Sequence, residues 1–131
     1  MVSLYMTREQ KQYKSLIMAD YKLAIQYYDS DDKALRLQAA YHTQQAIEKT
    51  IKLKAEIQGL NLWGHEIDLL IKKCDDAGID IGVPAMIRRK ADIYSQWEAE
   101  CRYYPVKVVR RDSIKKALDM VIDWLNSGDT V

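Results

Sequence analysis

A chain of 131 residues fits one compact domain and can bury a core without staples. Its 20 Lys and Arg stand against 19 Asp and Glu, so overall charge argues neither for nor against a polyanionic partner. No run reaches the roughly 18 apolar residues of a membrane span. MVSLYMTREQKQYK turns polar too early for a signal peptide, so a cytoplasmic location is expected. Five glycines and two prolines favour long helices over sheet turns. Phenylalanine is absent, which leaves nine tyrosines and three tryptophans to supply aromatic packing. Cys74 and Cys101 are too few for a disulfide scaffold and are expected to be reduced, buried thiols.

Stop and start signals mark five helices. Thr7-Arg-Glu-Gln10 has the form of a capping box and opens the first. Tyr13, Leu16, Ile17, Tyr21, Leu23, Ala24, Tyr27 and Tyr28 then recur at helical spacing. The run Asp29-Ser30-Asp31-Asp32 ends that helix and opens a second, over about 31 to 58, with carboxylates at the positive end of its dipole. Gly59 is its stop signal. A third helix, about 64 to 77, carries Ile67, Leu70, Ile71 and Cys74 on one side and stops at Gly78. Pro84 suits the first turn of a fourth that runs to about Cys101, with Ile87, Ala91, Tyr94 and Cys101 along one face. Pro105 breaks the pattern. Asp112 or Ser113 caps a last helix, whose stripe is Ile114, Ala117, Leu118, Val121, Ile122 and Leu125, and Gly128 ends it. VKVV at 106 to 109 is a strand candidate without an obvious partner. The expected fold class is all-α, a single antiparallel helical bundle of about five helices.

On a helical wheel the second helix divides in two. Leu35, Ala39, Ala40, Ala46, Ile47, Ile51, Leu53 and Ile57 share a broad arc with Thr43 and Thr50. Gln38, Tyr41, His42, Gln45, Glu48, Lys49 and Lys52 hold most of the opposite side. Read from the residues alone, that polar arc is a solvated face or a face for a partner. Glu48 and Lys52 form an i,i+4 pair there.

The string A-Y-H-x-Q-Q-A-x-E-K-x-x-K, from Ala40 to Lys52, resembles the signature helix of the HEPN family (higher eukaryotes and prokaryotes nucleotide-binding). Gly64-His65-Glu66-Ile67 resembles the Gly/Thr-His-Asp-Leu element that opens the family's third helix. Arg102-Tyr103-Tyr104-Pro105 resembles the Arg-Tyr-Pro after its fourth, with one extra tyrosine. The resemblance covers nearly the whole chain. It implies an antiparallel bundle that commonly dimerises, often beside a small nucleotidyltransferase in toxin–antitoxin or defence modules. Many branches are metal-independent RNases that use an Arg, four to six residues, then a His near the fourth helix, pairing a phosphate-holding guanidinium with a proton-transferring imidazole.

The sequence departs from that pattern. Arg88, Arg89 and Lys90 open the fourth helix, but no histidine follows, since the chain's two histidines are His42 and His65. Arg36 and His42 have the bare spacing, yet six residues apart on a helix they point about 120° away from each other. No glycine-rich phosphate loop and no zinc-spaced His/Cys cluster is present, so neither a metal nor a cofactor is expected. His65 is read as a cap or interhelix hydrogen-bonding residue. The catalytic residues stay unassigned.

Local charge is more informative. From Arg102 to Lys116 six basic residues (Arg102, Lys107, Arg110, Arg111, Lys115, Lys116) face one acid, Asp112, a local charge of +5. Tyr103 and Tyr104 are interleaved as stacking rings. With Arg88, Arg89 and Tyr94, this segment is the candidate surface for a nucleotide or RNA. The acidic stretch Glu66, Asp68, Asp75, Asp76 and Asp80 is a candidate counterpart on another molecule, which would make the basic segment a dimerisation element instead.

Overall fold

A computed structural model describes residues 6–103 and 109–128 of the chain, with side chains over 6–98 and 109–128. The described residues form six helices: α1 Arg8–Tyr27, α2 Lys33–Ile57, α3 Ile67–Asp76, α4 Ala85–Arg89, α5 Ala91–Tyr103 and α6 Arg111–Asn126. They contain no strand. All of the expected VKVV strand except Val109 lies outside the described residues.

The termini follow the residues that mark them. Thr7 Oγ1 accepts from the Gln10 N–H at 3.1 Å, and Gln10 Oε1 accepts from the Thr7 N–H at 2.9 Å, closing the capping box of α1. Asp32 caps α2 by accepting from the N–H groups of Ala34 and Leu35. At the far end of α2 the Leu60 N–H reaches the Ala55 carbonyl and the Gly59 N–H reaches that of Glu56, with Gly59 at φ +89°. The same pair of bonds closes α3, from Ile79 to Cys74 and from Gly78 to Asp75. Both are Schellman endings, in which a left-handed residue satisfies carbonyls the helix would otherwise leave open.

The expected fourth helix is divided. Lys90, at φ −108° and ψ 17°, ends α4, and α5 starts at the next residue. The break falls in the exposed run Arg88-Arg89-Lys90, with no glycine or proline to mark it.

α2 is the spine, packed against α1, α3, α5 and α6. Ala39, Ala40 and Ala46 are fully covered and let neighbouring helices approach closely, while Ile47 and Ile51 fill the centre. Thr43 and Thr50 lie in the same covered arc and donate to the carbonyls of Ala39 (2.8 Å) and Ala46 (2.6 Å), so neither hydroxyl is left unpaired. Around this spine pack Ile17, Ile67, Leu70, Ile87, Ile114, Leu118 and Val121, with Tyr94 edge-on to Trp97 at 5.0 Å. Trp124 is buried and donates to the Ile81 carbonyl at 2.8 Å, tying the end of α6 to the loop before α4. Ile122, expected in the buried stripe of α6, is only half-buried.

Candidate functional site: the polar seam of α2 and the basic start of α6

The polar arc of α2 is not a solvated face. Helix α1 lies along part of it and brings Asp20, 7% exposed, against His42 and Lys49. The Asp20 carboxylate binds His42 Nδ1 at 2.9 Å and Lys49 Nζ at 2.6 Å. One turn further, Glu48 is 4% exposed and holds three partners: Gln44 Nε2 at 3.1 Å, Lys52 Nζ at 3.1 Å and His65 Nδ1 at 3.2 Å. Gln45 donates to the Gln44 side-chain oxygen at 2.7 Å, and Gln44 also reaches the His65 carbonyl at 3.4 Å. Tyr41 meets the His42 ring edge-on. The signature residues Tyr41, His42, Gln45, Glu48, Lys49 and Lys52 therefore form a seam between α1, α2 and the loop before α3. Gln38 alone of that arc is exposed.

A buried carboxylate is tolerated where cations and donors compensate its lost hydration. Here each carboxylate has one lysine and one imidazole. An ionised carboxylate can only accept, so the facing Nδ1 of each histidine carries the proton. Burial pushes the Tyr13 phenol up to about 12, and the charges of Glu48, Glu56 and Asp20 push it the same way. His65, whose side chain is 70% exposed, thus forms the interhelix hydrogen bond expected of it and tethers the α2–α3 loop.

The basic candidates fall at two ends of the bundle. Arg111 lies at the start of α6, where its guanidinium binds Asp29 and Asp31 at 3.2 Å each and the Ser30 carbonyl at 3.2 Å. Arg36 also binds the Ser30 carbonyl, at 2.6 Å, so two arginines clamp the α1–α2 turn. Lys115 pairs with Asp119 at 2.6 Å. Arg110 and Lys116 are exposed and make no ion pair among the described residues, and Arg110 provides no side-chain cap to α6. Arg88 lies toward the other end of α2, a 25-residue helix about 37 Å long. It is bound through two nitrogens to Asp75, at 2.7 and 3.3 Å, which holds the Asp75 carboxyl below its ordinary value. Arg89 is exposed beside it.

Tyr94 is 2% exposed and presents no ring face to a base. Burial raises its phenol. Arg88 and Arg89 are accordingly not brought together with Arg110, Arg111 and Lys115. Arg102, Tyr103, Tyr104 and Lys107 lie outside the residues whose side chains the structure describes. Of the acidic stretch, Asp75 is engaged by Arg88, Asp76 by Lys72, Asp68 by Ser95 and Asp80 by the Gly82 N–H.

A basic feature not singled out from the sequence is a shallow groove on α1, lined by Lys11, Lys14, Ser15, Met18, Ala19 and Lys22. Its signal was the spacing of Lys11, Lys14 and Lys22 along one helix. Among the described residues no group of three or more His, Cys, Asp or Glu is placed to hold a metal ion. No described helix is long and apolar enough to cross a membrane. Cys74 is a buried free thiol raised by that burial and by Asp75. The side chain of Cys101 is not among those described.

Comparison with known proteins agrees with this architecture. The crystal structure of TT1696 from Thermus thermophilus superposes with a TM-score of 0.70 at 20% identity, over 94% of this chain and 98% of that one, a likeness of fold. No curated protein matches the chain significantly. The family model described as HEPN domain matches residues 14–126, from the middle of α1 to the last residue of α6. The chain belongs to the HEPN domain family.

Proposed function

We propose that this HEPN protein is the nucleotide- or RNA-associated member of a two-protein module, works beside a small nucleotidyltransferase in a toxin–antitoxin or defence setting, and is a homodimer. The start of α6 carries the nucleotide or RNA part of this reading. There Arg110 and Lys116 are exposed without an acidic partner among the described residues, above the positive end of a 16-residue helix. Cations at a helix N-terminus attract phosphate through charge and through amides that lack helical acceptors. Arg111 and Lys115 stand beside them but already hold carboxylates, so their contribution is smaller.

The test is binding of single-stranded RNA and of free nucleotides by Arg110→Glu/Lys116→Glu against the parent. A tenfold or larger loss supports the reading, and unchanged affinity refutes the assignment to α6. The metal-independent RNase alternative finds less support. Arg88 is engaged by Asp75, and neither histidine lies on α4 or α5. Cleavage of RNA without added metal, lost in Arg88→Ala or Arg89→Ala, would restore that alternative. A purely partner-docking module predicts no ligand binding in either protein.

A further inference from the structure

We propose that the loop between α2 and α3 holds a stacking site for a nucleobase, with Trp63 as the platform and Lys73 and His65 as polar contacts beside it. The proposal rests on the nucleotide or RNA reading above and deepens it, by naming a base-contacting residue apart from the start of α6. Trp63 is 79% exposed, whereas Trp97 and Trp124 are each 4% exposed. Within its loop the ring stands alone. Asn61, Gly64, His65 and Glu66 are exposed and none is aliphatic, while Leu62 packs against the core. A protein-docking surface is a contiguous apolar patch. A single ring among polar groups fits instead a flat ligand with a polar edge, which is the description of a base.

The backbone that carries the ring is anchored on both sides. Lys73 Nζ donates to the Trp63 carbonyl at 3.0 Å. Gly64, at φ +111°, turns the chain in a way that a side chain rarely allows. His65 is then fixed through Nδ1 to the buried Glu48 carboxylate at 3.2 Å, and through its carbonyl to the buried Gln44 amide at 3.4 Å. The Ile67 N–H is held by Ser95 Oγ at 2.8 Å. A platform fixed in the free protein loses little entropy when a ligand arrives. Donors stand beside it. Lys73 spends one of its three ammonium donors on the Trp63 carbonyl, and no carboxylate pairs with it among the described residues. His65 turns Nδ1 toward Glu48, which leaves Nε2 for a ligand on a side chain that is largely exposed. Glu66 is the loop's one acid and offsets part of this charge, so stacking more than ion pairing carries the affinity. Glu48, where His65 is anchored, lies about 18 Å along α2 from Arg36 and the arginine-clamped turn, so the two places are separate sites.

Tryptophan emission of the full chain reports on the site, because Trp97 and Trp124 are buried. The probes are AMP and a labelled single-stranded oligoadenylate. Both are expected to quench Trp63 saturably. Much tighter binding of the oligoadenylate assigns the site to RNA, and comparable affinities assign it to a free nucleotide. Anisotropy of the oligoadenylate should show an affinity loss of about fivefold or more in Trp63→Ala, with most of it restored in Trp63→Phe. Circular dichroism should be unchanged in both, because the ring is exposed. AMP should still quench Trp63 in Arg110→Glu/Lys116→Glu, which alters only the start of α6. Absence of quenching by either probe would overturn the stacking site. Unchanged oligoadenylate affinity in Trp63→Ala, in a protein whose binding still needs Arg110 and Lys116, would overturn the loop site and leave the α6 reading standing. A chain that binds neither probe would remove both.

Discussion

Glu48→Ala tests whether the polar seam of α2 is structural. The substitution leaves three groups without their acceptor: the Gln44 amide, the Lys52 ammonium and the His65 imidazole. Removing one member of a fully buried pair costs about 3–5 kcal/mol. Here the Lys52 side chain keeps 21% of its exposure and that of His65 70%, so both rehydrate and soften the loss. The Gln44 amide is completely buried and keeps only its long bond to the His65 carbonyl at 3.4 Å, so its lost acceptor costs about 1–2 kcal/mol. The expected total is about 2–3 kcal/mol. At about 3–5 °C per kcal/mol for a chain of this size, the melting temperature falls by about 10 °C. Urea denaturation and thermal circular dichroism read the two quantities. Gln38→Ala, on the exposed part of the same helix, is the control and should change stability by less than about 0.5 kcal/mol. A Glu48→Ala loss no larger than that of the control would refute the seam and return these residues to a solvated face.

Three further outcomes are expected. Thr7→Ala opens the capping box of α1 and should cost about 1 kcal/mol in urea denaturation. Trp124→Phe leaves the Ile81 carbonyl without its donor and should cost about 1–3 kcal/mol, with loosened amide-exchange protection before α4. Titrations should differ at the two ends of the pH scale. Tyr13 ionises at about 12 in the folded protein against 10.0 for a free phenol, so the unfolded chain loses its proton first. Stability therefore falls as pH rises through that window, and Tyr13→Phe should remove this part of the fall. Asp75 has the opposite sense, because its folded value is lowered from 3.8 by Arg88. Its support is present above that value and is lost as acid protonates the folded carboxyl, so Asp75→Asn should flatten the acid limb of the stability curve.

Most helix ends were legible because their chemistry is local, but α6 starts at Arg111 with Arg110 at its cap position, so Asp112 and Ser113 lie inside the helix and do not cap it. Thr7 with Gln10, Asp32, Gly59 and Gly78 each act within a few residues, and each does in the structure what its type implies. The stripes of α3 and α6 were legible for the same reason, apart from Ile122. The polar arc of α2 was misread because a single-helix wheel carries no information about a neighbour. Its residues look solvated until Asp20 and Tyr13 arrive from α1 and His65 from the next loop, 17 to 29 residues away for the bonds that matter. Tyr94 shows the same limit in reverse: a tyrosine near basic residues reads as a stacking ring, yet burial decides its role. Arg88 on α4 and Arg111 on α6 are parted by the 13-residue α5, which a count of local charge does not weigh. The break at Lys90 has no marker in its residue types.

The proposed nucleotide or RNA association is tested most directly by the salt dependence of single-stranded RNA binding to the parent protein. If Arg110 and Lys116, with part of the charge of Arg111 and Lys115, contact phosphates, about two to four counterions are displaced. The slope of log affinity against log salt should then be about −1.5 to −3. Charge reversal at Arg110 and Lys116 should bring it toward zero. Failure to bind RNA or nucleotide at low salt, or a slope near zero in the parent, would contradict the account.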